Sequence, residues 1–281
     1  MRMLRPSGIT LALWLLVVSG WSAPAGAAEQ RRLVLDYVVY VGGWETVKIS
    51  FVAKLKPDAY DLTMALNGEG VLDWWFKLRL DAFSRGRVKD GDIIPERAGA
   101  DSSWNGKQRQ TRLLYSASGP PKVELTPPPK SDDRDPVPVE LQRGTRDLAG
   151  AAFAMLTNIE RRGGCDLREP VFDGRRRYDL RLAQLGQETM APSDYSPYTG
   201  QADRCSFRID RIAGYRKKNS PSKWRKPDFA TLWVGKVFDG VPPLPIRAQI
   251  DTVVGGLVTH LVNAKLSAGG EIRQLSRVPT P

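Results

Sequence analysis

Apolar and polar residues alternate along much of the chain, which is the pattern of a β-strand with one buried face. A nearly continuous β-branched and aromatic segment at residues 33–41 precedes alternating segments at residues 47–55 and 60–66. Turn-forming sequences separate them, namely Gly-Gly at 42–43 and Lys-Pro-Asp at 56–58. Short turns between consecutive strands predict an antiparallel meander. Its first strand should be covered on both faces, or on one face with few charges on the other.

The pattern is less decisive between residues 67 and 144. Residues 71–80 fit either a short helix lying on the sheet or a fourth strand, because periodicity alone does not separate the two. Turn signals occur within residues 85–95, and residues 107–115 predict a further strand. Residues 117–144 are rich in proline and charge, so they can bury little apolar surface and lack backbone donors for a sheet. They predict a surface excursion from a single domain.

The clearest helical period covers residues 148–161. Thr145 or Asp147 can cap the N-terminus of this helix, the last turn is basic, and Gly-Gly at 163–164 ends it. The apolar stripe that should face the sheet comprises Leu148, Ala152, Met155, Leu156 and Ile159.

Alternating patterns return in the second half of the chain. Asp-Gly at 173–174 predicts a tight hairpin with a primed turn, because glycine readily adopts a positive φ. After it, Tyr178, Leu180 and Leu182 should lie on the buried face, and Arg177, Asp179 and Arg181 on the opposite face. Further strands are predicted at residues 205–212, 231–236, 246–250 and 257–266, with a loop at 188–202 and a frayed polar tail after residue 267.

Residues 1–27 have the three parts of an export signal. Two arginines precede an apolar segment at residues 9–18, and Ala-Gly-Ala at 25–27 fits a signal-peptidase site. The apolar segment is shorter than the roughly 20 residues that span a bilayer. We therefore expect cleavage after Ala27 and a periplasmic mature domain at 28–281, the alternative being an uncleaved anchor.

The chain has only two cysteines, Cys165 and Cys205. In an oxidising compartment two cysteines predict one structural disulfide. This bond would join the end of the predicted helix to the strand that begins at Cys205. Closing a loop of this length should stabilise the fold by roughly 4 kcal/mol in the chain-entropy model.

The chain is basic, with a formal net charge of +11. Outside the cytosol such a charge favours anionic lipid head groups or acidic polymers over nucleic acid, which is not expected as a partner. The candidate contacts with an anionic membrane surface are Arg175, Arg176, Arg177, Arg216, Lys217, Lys218, Lys223, Trp224, Arg225 and Lys226. The alternative is a solvated loop that keeps the protein soluble.

Residues suited to catalysis are scarce. The only histidine, His260, should lie on an apolar strand face with Val258, Val262 and Leu266, as a core or cavity-wall residue. A zinc site would need both cysteines, which are expected to bond to each other. The Ser-x-x-Lys match at 220–223 contains a proline and reads as a loop. The sequence has no Gly-x-Ser-x-Gly, His-Glu-x-x-His, P-loop or Cys-x-x-Cys motif. We expect no catalytic residue, metal or cofactor.

One segment carries a family resemblance, Val-Phe-Asp-Gly-Arg-Arg-Arg-Tyr-Asp-Leu at residues 171–180. Together with the opening strand and its Gly-Gly turn, the Asp147 start of the helix and the Pro245-Ile246 strand, it resembles an exported proteobacterial family catalogued as domain of unknown function 3108. The resemblance implies a strongly curved antiparallel sheet with a helix packed inside it. That architecture is similar to the half-barrels of periplasmic lipoprotein carriers and to β-spiral envelope proteins. It implies no catalytic residues.

Taken together, these features predict a mainly β fold, a single curved half-barrel or β-spiral with one packed helix at 148–161. The function expected first is non-enzymatic, a monomeric periplasmic protein that supports the cell envelope and holds an apolar, lipid or lipoprotein ligand on the concave face of its sheet. The alternative is a structural protein that docks to an envelope partner and has no internal ligand. A hydrolase is the third reading, and it would need His260 or Lys223 beside a carboxylate or serine.

Overall fold

The computed structural model describes residues 30–70, 73–74, 77–128, 134–216, 230–252 and 255–276. The predicted export signal at 1–27 lies outside these ranges, as does most of the predicted basic loop.

Within the described residues the chain forms fourteen strands, two complete helices and part of a third. The strands are β1 (Arg31–Val41), β2 (Trp44–Leu55), β3 (Ala59–Gly68), β4 (Arg79–Lys89), β5 (Asp92–Trp104), β6 (Lys107–Leu114), β7 (Lys122–Thr126), β8 (Leu167–Phe172), β9 (Arg177–Met190), β10 (Gly200–Ala213), β11 (Ala230–Gly235), β12 (Leu244–Thr252), β13 (Gly255–Ala268) and β14 (Glu271–Ser276). The helices are α1 (Val139–Gln142) and α2 (Leu148–Arg162).

All the strands belong to one antiparallel sheet. Its order is β7-β6-β5-β4-β3-β2-β1-β13-β12-β11-β10-β9-β8, and β14 pairs with the second half of β13. The predicted meander of β1, β2 and β3 is confirmed, and it continues through β7. The central strand β1 pairs with β2 on one side and β13 on the other, so the first and last parts of the chain meet there.

The sheet curls until its two ends approach each other, but it does not close. The β8–β9 hairpin reaches the opposite end of the sheet, where a Cβ added to Gly174 would lie 2.9 Å from the Thr111 side chain and 3.2 Å from that of Val123. In the described residues β7 and β8 do not pair with each other, and they remain the two edges of the sheet. The predicted mainly β fold with a single curved sheet is therefore confirmed.

Helix α2 occupies the concave side and contacts β8 at one end of the sheet and β5 and β4 near the other. Asp147, one of the two predicted caps, accepts hydrogen bonds from the backbone of Ala149 and Gly150, and Gly163 ends the helix at φ 70°. The buried face differs from the predicted stripe, because Leu148 is 49% exposed. The sheet wraps around the helix, so small residues are buried as well. The buried positions are Gly150, Ala151, Ala154, Met155 and Ile159.

Four local predictions need correction. Residues 122–126 of the proline-rich segment form edge strand β7, because β6 supplies a free edge with which they pair. β9 and β10 extend into the predicted loop at 188–202, leaving 191–199 between them. The supposedly frayed tail forms β14 along β13. The predicted primed turn is a longer loop, in which the Asp173 carboxylate accepts hydrogen bonds from the backbone of Arg175 and Arg176.

The ambiguous segment at 71–80 is divided between two structures. Gly70, Asp73 and Trp74 are helical, and β4 begins at Arg79. No helix in the described part of the chain has the length and apolar character needed to cross a bilayer.

Candidate functional site

A largely buried polar region lies at the seam between β8 and β5, where α2 begins. Arg146 makes a parallel bridge with Val171 beside β8. Its guanidinium donates to the Ile93 carbonyl of β5 at 2.8 Å and to the Glu169 carboxylate of β8 at 2.6 Å. One arginine thus ties together two parts of the sheet that do not pair with each other.

Asp147 forms the centre of a buried polar cluster next to this seam. One carboxylate oxygen caps α2, and the other accepts a 2.7 Å hydrogen bond from the Ser84 hydroxyl. The Tyr60 hydroxyl lies 3.4 Å from Ser84, and the buried Tyr115 hydroxyl finds no hydrogen-bond partner in the described ranges. Burial raises the pKa of the Asp147 carboxyl above its usual value, although the hydrogen bonds from Gly150 and Ser84 oppose that shift.

The Asp147 cluster lacks the parts of a nucleophilic site. Ser84 donates its proton to a carboxylate that is already engaged in capping a helix, and no imidazole stands between them. A serine nucleophile needs a base that can take its proton and be held by a third group. The arrangement therefore orients the start of α2 against β4.

A second buried polar cluster surrounds Asp179 on β9. Sequence alternation placed this residue on the polar face, yet it is fully buried. Arg177 and Arg168 both donate to its carboxylate, at 2.6 Å and 2.7 Å. Burial opposes ionisation, but the two hydrogen bonds outweigh it and hold the pKa of Asp179 below its usual value. Arg177 also donates to the Leu141 carbonyl, which links α1 to this cluster.

His260 lies in an aromatic cluster separate from the two carboxylates. Its ring stacks on Tyr195 at 5.5 Å and meets the edge of Tyr40 at 6.0 Å. Burial, with a smaller contribution from the charge of Arg247, lowers the pKa of His260 to about 4. The imidazole is therefore neutral at pH 7, and its Nδ1 has no hydrogen-bond partner within the described residues.

The predicted surroundings of His260 were partly wrong. A register shift in the β1–β13 pairing follows Leu261, so Leu266 is turned into the main core with Leu261 and Ala264. His260 instead meets the two tyrosines. A bulge inserts one residue, and simple alternation then assigns the residues beyond it to the wrong face.

The predicted disulfide joins Cys165 and Cys205, both fully buried. It lies in a second core cluster with Met155 and Ile159 of α2 and Leu180 of β9. The bond therefore connects the end of the helix to β10, as the sequence indicated.

The arginines predicted to form one positive surface are divided. Arg177 faces inward and is 9% exposed, because it pairs with Asp179. Arg176 pairs with Asp173 at 2.7 Å, and half-buried Arg175 donates to the Pro127 carbonyl. Arg216 forms an isolated antiparallel bridge with Arg134. The remaining predicted contacts, Lys217, Lys218, Lys223, Trp224, Arg225 and Lys226, lie outside the described residues, as does the Ser-x-x-Lys sequence at 220–223.

The described surface also contains a small cavity. A cavity of about 220 Å³, partly open to solvent, lies beside the end of α2, and its polar wall includes Glu160, Asp203 and Lys236. Lys236 donates to Glu160 at 2.6 Å and to the Val241 carbonyl at 2.8 Å. Among the residues with described positions, no group of three histidine, cysteine or carboxylate side chains is close enough to hold a metal ion.

Sequence reasoning missed the Asp147 cluster and the Asp179 ion pairs as sites. Asp147 was recognised only as a cap. The one signal available for Asp179 was its place in a strand between Arg177 and Arg181. Alternation assigned all three residues to the solvent-facing side. Their hydrogen-bond partners are distant in the sequence: Arg168 is 11 residues from Asp179, and Ser84 is 63 residues from Asp147.

Comparisons with known proteins give a family but no activity. No curated protein matches the chain. Among solved structures, it is similar to a beta-barrel-like protein of domain of unknown function DUF1849 from Brucella abortus. The sequence identity is 10% and the TM-score is 0.46, over 85% of this chain and 98% of the other. The family model described as "Protein of unknown function (DUF3108)" matches residues 36–262, and the chain therefore belongs to this family.

Proposed function

We propose that this chain is an exported, non-enzymatic periplasmic protein that acts through its outer surface. It docks to a component of the cell envelope and carries no ligand inside its sheet. This is the alternative that the sequence suggested, a structural protein that docks to an envelope partner and has no internal ligand.

The observation that carries the proposal is the filling of the concave side by α2. Ala154 packs in the main core with Leu62, and Met155 and Ile159 pack with Leu180 and the disulfide. Leu62 and Leu180 are almost completely inaccessible. An acyl chain on this face would have to displace the helix. The cavity at the end of α2 is polar and smaller than the roughly 300–1,000 Å³ of typical ligand pockets.

The absence of catalysis is proposed because the best-placed polar groups serve structural contacts. Asp147 caps a helix, Asp179 holds two arginines, and the Nδ1 atom of His260 is buried among aromatic rings. Export is supported by the leader sequence and by the disulfide, which persists in oxidising compartments.

Two measurements on the same cells test the proposal. Fractionation followed by N-terminal sequencing should give a periplasmic protein that begins at residue 28. Native mass spectrometry of that protein should give the mass of the polypeptide with its disulfide and no additional ligand. A lipid bound in stoichiometric amount would contradict the proposal and favour a carrier with an internal site.

Photo-crosslinking in intact cells provides the positive evidence. A photoreactive residue replacing an exposed side chain should give a defined adduct with an envelope component, whereas one replacing buried Leu62 should give only internal products. Adducts with free lipid at position 62 would show that the interior opens, and would overturn the proposal.

A further inference from the structure

Like charges lie directly opposite each other at two places on the outer face of β4 and β5. Arg85 of β4 is the register partner of Arg97 of β5, and four residues further along β4, Asp81 is the register partner of Asp101. Four residues of a strand span roughly 13 Å, so the two arginines form a basic row that is well separated from the acidic row of the two aspartates. Like charges opposite each other on antiparallel strands destabilise the pairing. Folding of a single chain therefore does not favour this arrangement.

An apolar side chain lies between the basic row and the acidic row. Ser84 of β4 and its register partner Ala98 are buried in the interior. Side chains alternate between the two faces of a strand, so the neighbouring pair, Phe83 and Gly99, points outward. A Cβ added to Gly99 would lie 2.6 Å from the ring of Phe83, which therefore rests on the backbone of β5. The outer face thus has an apolar centre with positive charge on one side and negative charge on the other.

Partners within the chain neutralise only one member of each row. The carboxylate of Asp61 pairs with Arg85 at 3.1 Å, and Arg112 donates to Asp101 at 2.8 Å. Two members make no ion pair in the part of the chain that the structure describes, namely Arg97 and Asp81. The separation of the rows keeps these two opposite charges from reaching each other within one molecule.

The outer face of β3 to β6 is neutral as a whole. Its outward positions, together with the carboxylate beside Arg79, carry six cations and six carboxylates, so the net charge is 6 − 6 = 0. The cations are Arg79, Arg85, Arg87, Lys89, Arg97 and Arg112, and the carboxylates are those of Asp61, Asp73, Asp81, Asp92, Glu96 and Asp101. Such a face gives no net attraction to an anionic membrane or polymer. It fits a partner that presents the same two rows in the reverse order.

We propose that this face joins two copies of the chain in a symmetric dimer, with the two-fold axis along the line from Phe83 to Gly99. Half a turn about that axis places the basic row of each copy over the acidic row of the other. Arg85 then faces Asp81 of the second copy, and Arg97 faces Asp101 of the second copy. The symmetry repeats both contacts, because a two-fold dimer uses the same patch on each subunit. The charges that oppose each other within one chain are thereby neutralised between chains.

The curvature of the sheet sets the strength of this contact. Two convex faces meet over only a few strands, so the buried area is small and the dimer should be weak. Ion pairs between exposed side chains supply much of the attraction, and salt should therefore weaken it. The inference goes beyond the proposed function, since dimer formation does not depend on an envelope partner. It differs from the monomer that the sequence suggested.

Sedimentation velocity of the mature protein at a series of concentrations tests the dimer. The wild-type protein should change from monomer to dimer between micromolar and submillimolar concentration, and added salt should shift it back towards monomer. A wild-type protein that remains monomeric at submillimolar concentration in low salt would overturn the inference. An envelope adduct in the cellular crosslinking experiment would then leave the proposed function standing.

Charge reversal tests the arrangement of the rows. Replacing Arg85 and Arg97 by glutamate makes both rows acidic, and replacing Asp81 and Asp101 by lysine makes both rows basic. Each double variant should raise the dissociation constant by at least roughly a hundredfold, because like charges then face each other. A chain with all four substitutions has the two rows exchanged and should form the dimer again. Loss of the dimer in both double variants without recovery in the fourfold variant would overturn the proposed arrangement.

The matched control is Arg204→Glu with Arg208→Glu. Both arginines are exposed on β10, in the other half of the sheet, and their reversal changes the net charge by the same amount as the Arg85 and Arg97 variant. The control should form the dimer like the wild-type protein. A loss of association in the control as large as that in the Arg85 and Arg97 variant would show that net charge, not the rows, governs association, and would overturn the inference. Thermal melting followed by circular dichroism confirms that each variant is folded.

Discussion

The two halves of the sheet are stabilised in different ways. From β1 to β6 each strand pairs with its neighbour in sequence, and the charged residues lie on an exposed face, where Arg87 pairs with Glu96 at 2.8 Å with both side chains more than half exposed. In the second half β9 is buried on both faces near its start. There a disulfide and the two arginines around Asp179 hold the structure together.

Asp179 and Asp210 show this difference within one pair of strands. They are register partners on β9 and β10, and each carboxylate contacts two arginines. The side chain of Asp179 is 1% exposed and that of Asp210 is 26% exposed. The ion pairs of Asp179 should therefore contribute more to stability than those of Asp210, because a charge removed from water needs its partners more than a solvated charge does.

The largest effect is expected for Asp179→Ala. Removing the carboxylate leaves the buried guanidinium of Arg177 without its main partner, which should lower the free energy of unfolding by about 3–5 kcal/mol. Urea denaturation followed by circular dichroism measures the change. Asp210→Ala should lower it by at most about 1 kcal/mol. Equal losses in the two variants would refute the contrast between the buried and the solvated ion pair.

Removal of the disulfide should follow in size. Replacing Cys165 and Cys205 together by alanine opens a loop with a sequence separation of 40 residues, which should lower the free energy of unfolding by about 2–4 kcal/mol. The melting temperature of the double variant should match that of the reduced wild-type protein. Two free thiols in protein isolated without a reductant would contradict the pairing.

Histidine gives a smaller effect that depends on pH. The folded chain holds the pKa of His260 at about 4, against 6.5 for an ordinary histidine, so the unfolded chain takes up this proton at higher pH. Stability should fall by roughly 1–3 kcal/mol as the pH is lowered from 6.5 to 4, and the loss from this group should level off below pH 4. His260→Gln should remove this part of the pH dependence. Parallel melting curves for the two proteins across that range would show that His260 is not responsible.

The smallest effect is expected in the first half of the sheet. Glu96→Ala removes an ion pair between two exposed side chains and should change the free energy of unfolding by less than about 1 kcal/mol. Thermal melting at low and high salt measures the contribution of this ion pair and the extent to which salt screens it. A loss as large as that of Asp179→Ala would erase the distinction between the two halves.

Predictions from the sequence succeeded where the pattern is local and repeated. The strands from β1 to β3 and helix α2 follow from alternation, turn residues and the Asp147 cap, all of which act within a few residues. They failed where a bulge inserts one residue into a strand, and where a partner distant in the sequence determines the local structure. The bulge near Leu261 reversed the face of Leu266, and the β6 edge turned a proline-rich segment into β7.

The candidate site shows the same limit. Asp147 and Asp179 are ordinary carboxylates in the sequence. In the folded chain both are buried, where Ser84 donates to Asp147 and Arg168 donates to Asp179.

By itself the sequence determined that the protein is built mainly of antiparallel strands around one helix, and it identified the two cysteines that pair. These properties depend on side-chain periodicity and on a single possible partner for each thiol. The tertiary structure decided which polar residues are buried, how the interior is filled and which loops share an edge. Those outcomes depend on residues far apart in the chain, and the curvature of the sheet brings them together.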